Sequence, residues 1–244
     1  MKFIFLGIVQ GLTEFLPVSS SGHLYIFKNI LNLTQDLLPF FVFLHLATLL
    51  AILIFLHKEI IAALGKKNVL IQIGVITCIT VVFGFTIDYF LKDIFENRYL
   101  VIFLLFLNGV ILLSIRKDKG SRDSIDISLK DSFILGALQG LAVLPGISRS
   151  GITIAGALKR GFKAKEAFAL SFLMAIPAII GAFVLKFNQL VDSDMSASAM
   201  AGGFAAALLF GLLALYIVRK ALLNRKFSNF GYYCIIASIV ILFI

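Results

Sequence analysis

Apolar residues run through this chain in long stretches separated by short clusters of charge. Six of these, residues 41–56, 69–87, 100–115, 167–185, 197–218 and 230–244, predict helices of about the length that crosses a bilayer. Two further apolar segments, 3–27 and 133–158, are interrupted near their middles by proline with glycine and serine beside it. The breaks read Pro17-Val18-Ser19-Ser20-Ser21-Gly22 and Pro145-Gly146-Ile147-Ser148-Arg149-Ser150-Gly151. A continuous helix through either would strand backbone polar groups in hydrocarbon, and the second would put Arg149 there too. Both segments therefore predict re-entrant helical hairpins. The expected fold is an all-α polytopic membrane protein of six spanning helices plus two hairpins, forming a single membrane domain over 1–244.

Charge in the connections tests this plan, because cytoplasmic loops collect Lys and Arg. Lys58, Lys66 and Lys67 fall in 57–68; Arg116, Lys117, Lys119, Arg122 and Lys130 fall in 116–130. Lys159, Arg160, Lys163 and Lys165 fall in 159–165, and Arg219, Lys220, Arg225 and Lys226 in 219–226. The other connections hold only Lys2, Lys28, Lys92, Arg98 and Lys186. If both interrupted segments return to the side they entered, all four basic loops share one face. Were 133–158 to cross, the loops at 159 and 219 would lie opposite those at 57 and 116. The expected arrangement has both termini outside.

The two hairpins resemble each other. At a single offset, Gly7-Ile8-Val9-Gln10-Gly11-Leu12 aligns with Gly136-Ala137-Leu138-Gln139-Gly140-Leu141. The same offset aligns Ser19-Ser20-Ser21-Gly22 with Ser148-Arg149-Ser150-Gly151, while the prolines miss by one position. Each half, about 1–115 and 131–244 with a cytoplasmic loop 116–130 between them, then holds one hairpin and three spans. An odd number of crossings inverts the second half, so the hairpins enter from opposite faces and meet near the midplane, the inverted-repeat plan.

Composition narrows the function classes. Of 244 residues 60% are hydrophobic and only 14% charged, too few charges to coat a soluble surface. The net charge of +9 sits between apolar stretches, which argues against nucleic acid as a partner. Cys78 and Cys234 lie alone in apolar surroundings and read as buried thiols. The N-terminal stretch runs into polar residues with no small-residue cleavage pattern, unlike a signal peptide.

Intramembrane polarity concentrates at the breaks. Gln10 and Glu14 share a helix face; Ser19, Ser20, Ser21 and His23 follow, and Ser148, Arg149, Ser150 and Thr153 occupy the matching turn. A helix restarting after a break presents free N–H groups and a positive dipole end, so two such ends with Arg149 suit a phosphate or diphosphate. Ser19 or Ser148 would serve as a helix cap, and Glu14 with Arg149 as an ion pair, which is compatible with anion binding. His45 and Asn108 read as helix-packing polar groups, and His57 as an interface residue.

These motifs, Gln10-Gly-Leu-Thr-Glu14-Phe-Leu-Pro17-Val-Ser-Ser20-Ser-Gly-His23 and Pro145-Gly-Ile-Ser148-Arg149-Ser-Gly-Ile-Thr153, resemble the undecaprenyl-diphosphate phosphatase, or bacitracin-resistance, family over nearly the whole chain. In that family the position of Gln10 carries Glu or Gln, so Gln10 fits but removes a second carboxylate. The resemblance implies hydrolysis of undecaprenyl diphosphate to the monophosphate in the cell membrane, recycling a cell-wall lipid carrier, with Mg2+ or Ca2+ as cofactor and Glu14 as its ligand. Partners would be the polyprenyl diphosphate and membrane lipids; a homodimer is compatible with the sequence.

On this reading Arg149 and the break N–H groups bind the diphosphate, with Gln10, Ser19, Ser21, Ser148, Ser150 and Thr153 lining the pocket. Ser20 attacks, Glu14 acts as base or metal ligand, and His23 protonates the leaving group or positions the nucleophile. Water activated by Glu14, or His23 itself, fits as nucleophile too. The competing class is a polyprenyl-phosphate transporter using the same pocket. A channel lacks a continuous polar stripe along the spans. The first hairpin opens outward, favouring the outer leaflet.

Overall fold

A computed structural model describes residues 1–31, 37–91, 97–115, 120–191 and 196–243. Lys92, Arg116, Lys117, Lys119 and Ile244 lie outside the described residues. Among the described residues eleven α-helices follow in order: α1 Lys2–Phe15, α2 Ser20–Ile30, α3 Leu38–Phe55, α4 His57–Leu64, α5 Lys67–Leu91 and α6 Arg98–Leu113. After the inter-half connection come α7 Leu129–Leu141, α8 Arg149–Lys159, α9 Ala164–Val191, α10 Ala197–Leu223 and α11 Phe230–Leu242. Side-chain caps start several of them. Asn97 accepts from the Tyr99 and Leu100 amides at α6, Ser128 forms a capping box with Asp131 at α7, and Ser196 accepts from the Ala199 amide at α10.

Among the described residues three helical stretches are long and apolar enough to cross a membrane, Lys67–Ile87, Ala164–Phe187 and Ala197–Leu223. A fourth crossing arises if Pro39–Phe55 and His57–Leu64 are one broken span; they meet at a bend of 75°. Arg98–Leu113 and Phe227–Leu242 are apolar but shorter. Residues 57–64 are thus helical rather than loop. Large apolar side chains such as Val82, Val184, Leu209 and Ile236 face outward. A water-soluble monomer does not expose apolar surface on this scale, and the arrangement is that of a polytopic membrane protein.

Both interrupted segments double back. Lys2 donates from Nζ to Leu31 O at 2.9 Å, and the Phe5 and Phe27 rings meet edge to face, so the start of α1 lies beside the end of α2. The second hairpin is closed at its base by Asp131 in the first turn of α7. Fully buried, its carboxylate accepts from Arg160 Nε at 2.6 Å, Arg122 Nη2 at 2.6 Å and Ser128 Oγ at 2.7 Å. Arg160 follows α8 directly, which ties the two ends together.

Glycine sets how closely the first hairpin packs. Gly7 and Gly11 of α1 lie against Gly203, Ala207 and Gly211 of α10. A Cβ at Gly11 would stand 2.5 Å from Ala207 O and 2.9 Å from Gly211 N. In a bilayer, where apolar burial between helices gains little, such close backbone contact is what holds helices together. Gly136 and Gly140 of α7 meet Ile76, Ile79 and Phe83 of α5 in the same fashion. Gly109 of α6 crosses Gly231 of α11 backbone to backbone.

Two stability predictions follow from these contacts. Gly11→Leu forces α1 away from α10 and is expected to cost about 3 kcal/mol or more, a strain like that of an overpacked core, read as a lowered thermal midpoint in detergent. Asp131→Ala leaves two arginines without their shared anion and is expected to cost about 3 kcal/mol. Burial pushes the Asp131 carboxyl up, but hydrogen bonds from Arg122, Ser128 and Arg160 outweigh that and hold it well below the usual carboxylate range. Because the folded value is the lower one, this stabilisation is complete above about pH 4 and fades as pH falls further. The alanine variant should therefore show a flatter loss of thermal midpoint below pH 4 than the parent.

Candidate active site

The two breaks meet. In the first, Leu16 leaves α1 extended and Ser19 takes a left-handed backbone, φ 69°, before α2 begins at Ser20. That conformation is uncommon for serine and costs about 1–3 kcal/mol unless neighbours fix it. Here they do: Ser19 Oγ accepts from the Gly22 amide at 3.4 Å and from the Gly146 amide of the other break at 3.1 Å. His23 Nδ1 lies 2.8 Å from Ser19 O and must donate, since a carbonyl only accepts. Its Nε2 then accepts from the Tyr233 hydroxyl of α11 at 2.7 Å. In the second break Gly146 adopts φ 103°, and Ser148 Oγ caps α8 by accepting from the Gly151 amide at 3.1 Å.

Further bonds cross between the breaks. Ser150 Oγ donates to Phe15 O at 2.9 Å. Asn108, fully buried on α6, donates from Nδ2 to Pro17 O at 3.0 Å and accepts at Oδ1 from the Ser148 amide at 3.1 Å, so one side chain serves both. Cys234 touches the same place through a 3.3 Å contact to Asn108 Nδ2.

At the centre lies Glu14. Arg149 Nη2 reaches its Oε1 at 3.1 Å, while Oε2 accepts from Ser20 Oγ at 2.8 Å and Gln10 Nε2 at 3.1 Å. His45 Nε2 stands 3.5 Å from the same Oε2. The Arg149 guanidinium also lies 5.5 Å from the Phe172 ring centre and donates to Ser171 O at 3.4 Å. Charged groups paired this way fix each other's direction.

A cavity of about 340 Å³ opens over this group. Of the residues expected from sequence, Glu14, Ser20, Ser21, Ser148 and Arg149 line it. Gln10, Ser19, His23, Ser150 and Thr153 stand behind the lining and hold it in place; Thr153 Oγ1, for example, bonds Arg149 O and Ser171 Oγ, both at 2.7 Å. The remaining wall is mainly apolar, with Val42, Val143, Ile179 and Phe183 among its members. The site therefore joins a polar floor to a greasy wall, and an amphiphile with an anionic head matches both.

Sequence reading passed over two residues here. Asn108 bridges the breaks rather than merely packing a helix, and His45 lines the cavity beside Glu14. A signal was present: each is a polar residue alone in an apolar span, where polarity needs a partner. Tyr233, the partner of His23, carried no such signal, since aromatic residues are ordinary at membrane interfaces.

Residues 3–240 match the family model described as bacitracin resistance protein BacA. Among curated proteins, the undecaprenyl-diphosphatase of Methanococcus vannielii is 41% identical over 100% of this chain and 99% of its own length. That of Thermosipho africanus is 39% identical with full coverage of both, and that of Carboxydothermus hydrogenoformans is 37% identical over 98% and 95%. The chain belongs to the bacitracin resistance protein BacA family.

Asn108→Leu should separate the two breaks while leaving every lining residue unchanged. It strands the Ser148 amide, at about 1–3 kcal/mol, and leaves Pro17 O with the weaker Cys234 thiol at 3.5 Å; it is expected to lower the thermal midpoint and to weaken retention of inorganic pyrophosphate in equilibrium dialysis.

Proposed function

We propose that this member of the BacA family hydrolyses undecaprenyl diphosphate to undecaprenyl phosphate and inorganic phosphate, returning a lipid carrier to cell-wall polymer synthesis. The observation that carries this reading is the Arg149–Glu14–Ser20 chain at the floor of a cavity whose walls are apolar. The names of the relatives are in agreement.

The chemistry follows from the contacts. Phosphoryl transfer asks mainly for placement and for positive charge around the transferring group. Arg149, with the free amides at the starts of α2 and α8, supplies that charge at the head of the cavity. Ser20 Oγ already points its hydrogen at Glu14 Oε2, the geometry of a hydroxyl ready to lose its proton as it attacks phosphorus. In this reading Ser20 Oγ attacks the terminal phosphorus as Glu14 takes its proton, the bond to the leaving undecaprenyl phosphate breaks, and water then cleaves the phosphoserine to release inorganic phosphate. His23 spends both ring nitrogens on Ser19 O and Tyr233, so its part is to hold the serine turn rather than to donate a proton. Val42, Ile179 and Phe183 would take the first isoprene units.

A divalent cation, Mg2+ or Ca2+, fits the donors present. Two buried amide oxygens have no hydrogen-bond partner: Gln10 Oε1, just behind the lining on the side chain bonded to Glu14, and Gln139 Oε1, whose side chain lines the cavity. An amide oxygen, a carboxylate and diphosphate oxygens form the hard-donor set such ions take. Among the described residues no cluster of three or more His, Cys, Asp or Glu forms a protein-only cage, so substrate would complete the shell. When bound, the ion would neutralise charge on the diphosphate.

The halves 1–115 and 131–244 are proposed as an inverted repeat in the plasma membrane, with the basic loops in the cytoplasm and the cavity toward the outer leaflet. The pairing supports this: α1 packs on α10, α7 on α5, and α6 on α11 across the halves.

Arg149→Ala should lower phosphate release from undecaprenyl diphosphate by at least about 1,000-fold, since it removes the charge facing the transferring group. Chelation with EDTA should suppress the parent and be reversed by Mg2+ or Ca2+. Near-normal turnover by the Arg149 variant overturns the assignment, and lipid movement across liposomes without phosphate release would point to a carrier.

A further inference from the structure

His45 is the polar lining residue beside Glu14 that the reaction described above leaves without a role. It sits inside α3, in the stretch Phe43-Leu44-His45-Leu46-Ala47, where no solvent interface accounts for it. Its ring is held at one end: Nδ1 lies 2.7 Å from Phe41 O and donates to it, which fixes the tilt of the imidazole. The other end, Nε2, lies 3.5 Å from Glu14 Oε2 on the cavity side, where it attracts the carboxylate when the ring carries both protons and Nε2 is a donor as well. The side chain is about one-third exposed, against less than a tenth for Glu14, so it stands between the carboxylate and the opening.

Glu14 is thus gripped from two sides. Arg149 holds Oε1; Gln10 and His45 flank Oε2, the oxygen that faces Ser20. Only one of these grips survives substrate binding unchanged. A diphosphate competes with Glu14 for the Arg149 guanidinium, since both anions want the same N–H groups and the diphosphate carries more charge. As Arg149 turns to substrate, Oε1 loses its clamp at the moment when the direction of Oε2 toward Ser20 decides whether the proton can be taken.

We propose that His45 is a positioning residue of the phosphoryl-transfer site, keeping Glu14 Oε2 turned to Ser20 once Arg149 has engaged the diphosphate. This rests on the Ser20–Glu14 reading given above. His45 acts through Glu14 rather than on substrate, so its loss falls on the chemical step and not on affinity. Gln10 alone cannot replace it, because Gln10 approaches from within the same helix and leaves Oε2 free to swing toward the opening.

Steady-state phosphate release by the purified full chain in detergent, with undecaprenyl diphosphate, tests this. His45→Ala is expected to lower kcat about 100-fold with KM changed less than about threefold, the size of effect that a misplacement of about 1 Å produces. His45→Gln, whose amide N–H reaches the position of Nε2, should recover most of that loss. In a Glu14→Gln background, His45→Ala should change kcat no further, because the group it positions is gone. Equal thermal midpoints show that folding is not the cause. A raised KM with unchanged kcat, a glutamine variant as poor as alanine, or additive losses in the double variant would each overturn the proposal. Ser20→Ala in the same assay reports on the parent reading alone. If it keeps turnover, the nucleophile assignment fails whatever His45 does.

Discussion

The structure depends on a contact between two helix breaks inside a low-dielectric layer. Each break exposes carbonyls and amides that hydrocarbon cannot satisfy, at several kcal/mol apiece. The two solve this together: Ser19 Oγ takes the Gly146 amide, Ser150 Oγ gives to Phe15 O, and Asn108 bonds Pro17 O and the Ser148 amide at once. Arg149 and Glu14 add a charge pair across the same junction at 3.1 Å. Separated, neither break would be tolerable; joined, they leave a polar floor with a small surplus of donors.

That surplus is where chemistry becomes available. Ser19 and Ser148 are consumed as caps, and His23 is consumed in holding the left-handed turn. Ser20, Ser21, Arg149 and His45 remain facing the cavity. The division is imposed by the backbone: the residue that closes each turn must spend its side chain on amides, and the residue after it is released. A serine-rich turn thus yields one structural hydroxyl and one exposed hydroxyl from adjacent positions.

The surrounding helices explain why the junction holds. Close approach through Gly7 and Gly11 against α10, and through Gly136 and Gly140 against α5, anchors α1 and α7 each to a long helix distant in sequence. Asp131 with its two arginines closes the second hairpin at its base, and Lys2 closes the first. The tips are therefore fixed from behind, which holds the backbone under Arg149 and Glu14 in place.

The sequence by itself determined the helical class, the two interrupted hairpins and the clustering of Glu14, Ser20 and Arg149, because backbone satisfaction in lipid leaves few alternatives for Pro-Gly-Ser breaks in apolar runs. The glycines of its two Gly-x-x-Gln-Gly-Leu blocks pack α1 on α10 and α7 on α5. What it could not determine was the division of labour. Whether a serine caps or faces the cavity depends on a single backbone angle at Ser19, and whether His45 or His23 meets Glu14 depends on how α3 and α11 are rotated against the hairpins. The 75° bend after Phe55 was equally hidden, since residues 57–64 are helical in composition and carry charge like any loop. Local pattern sets which groups must be paired; only the packing of distant helices decides with whom.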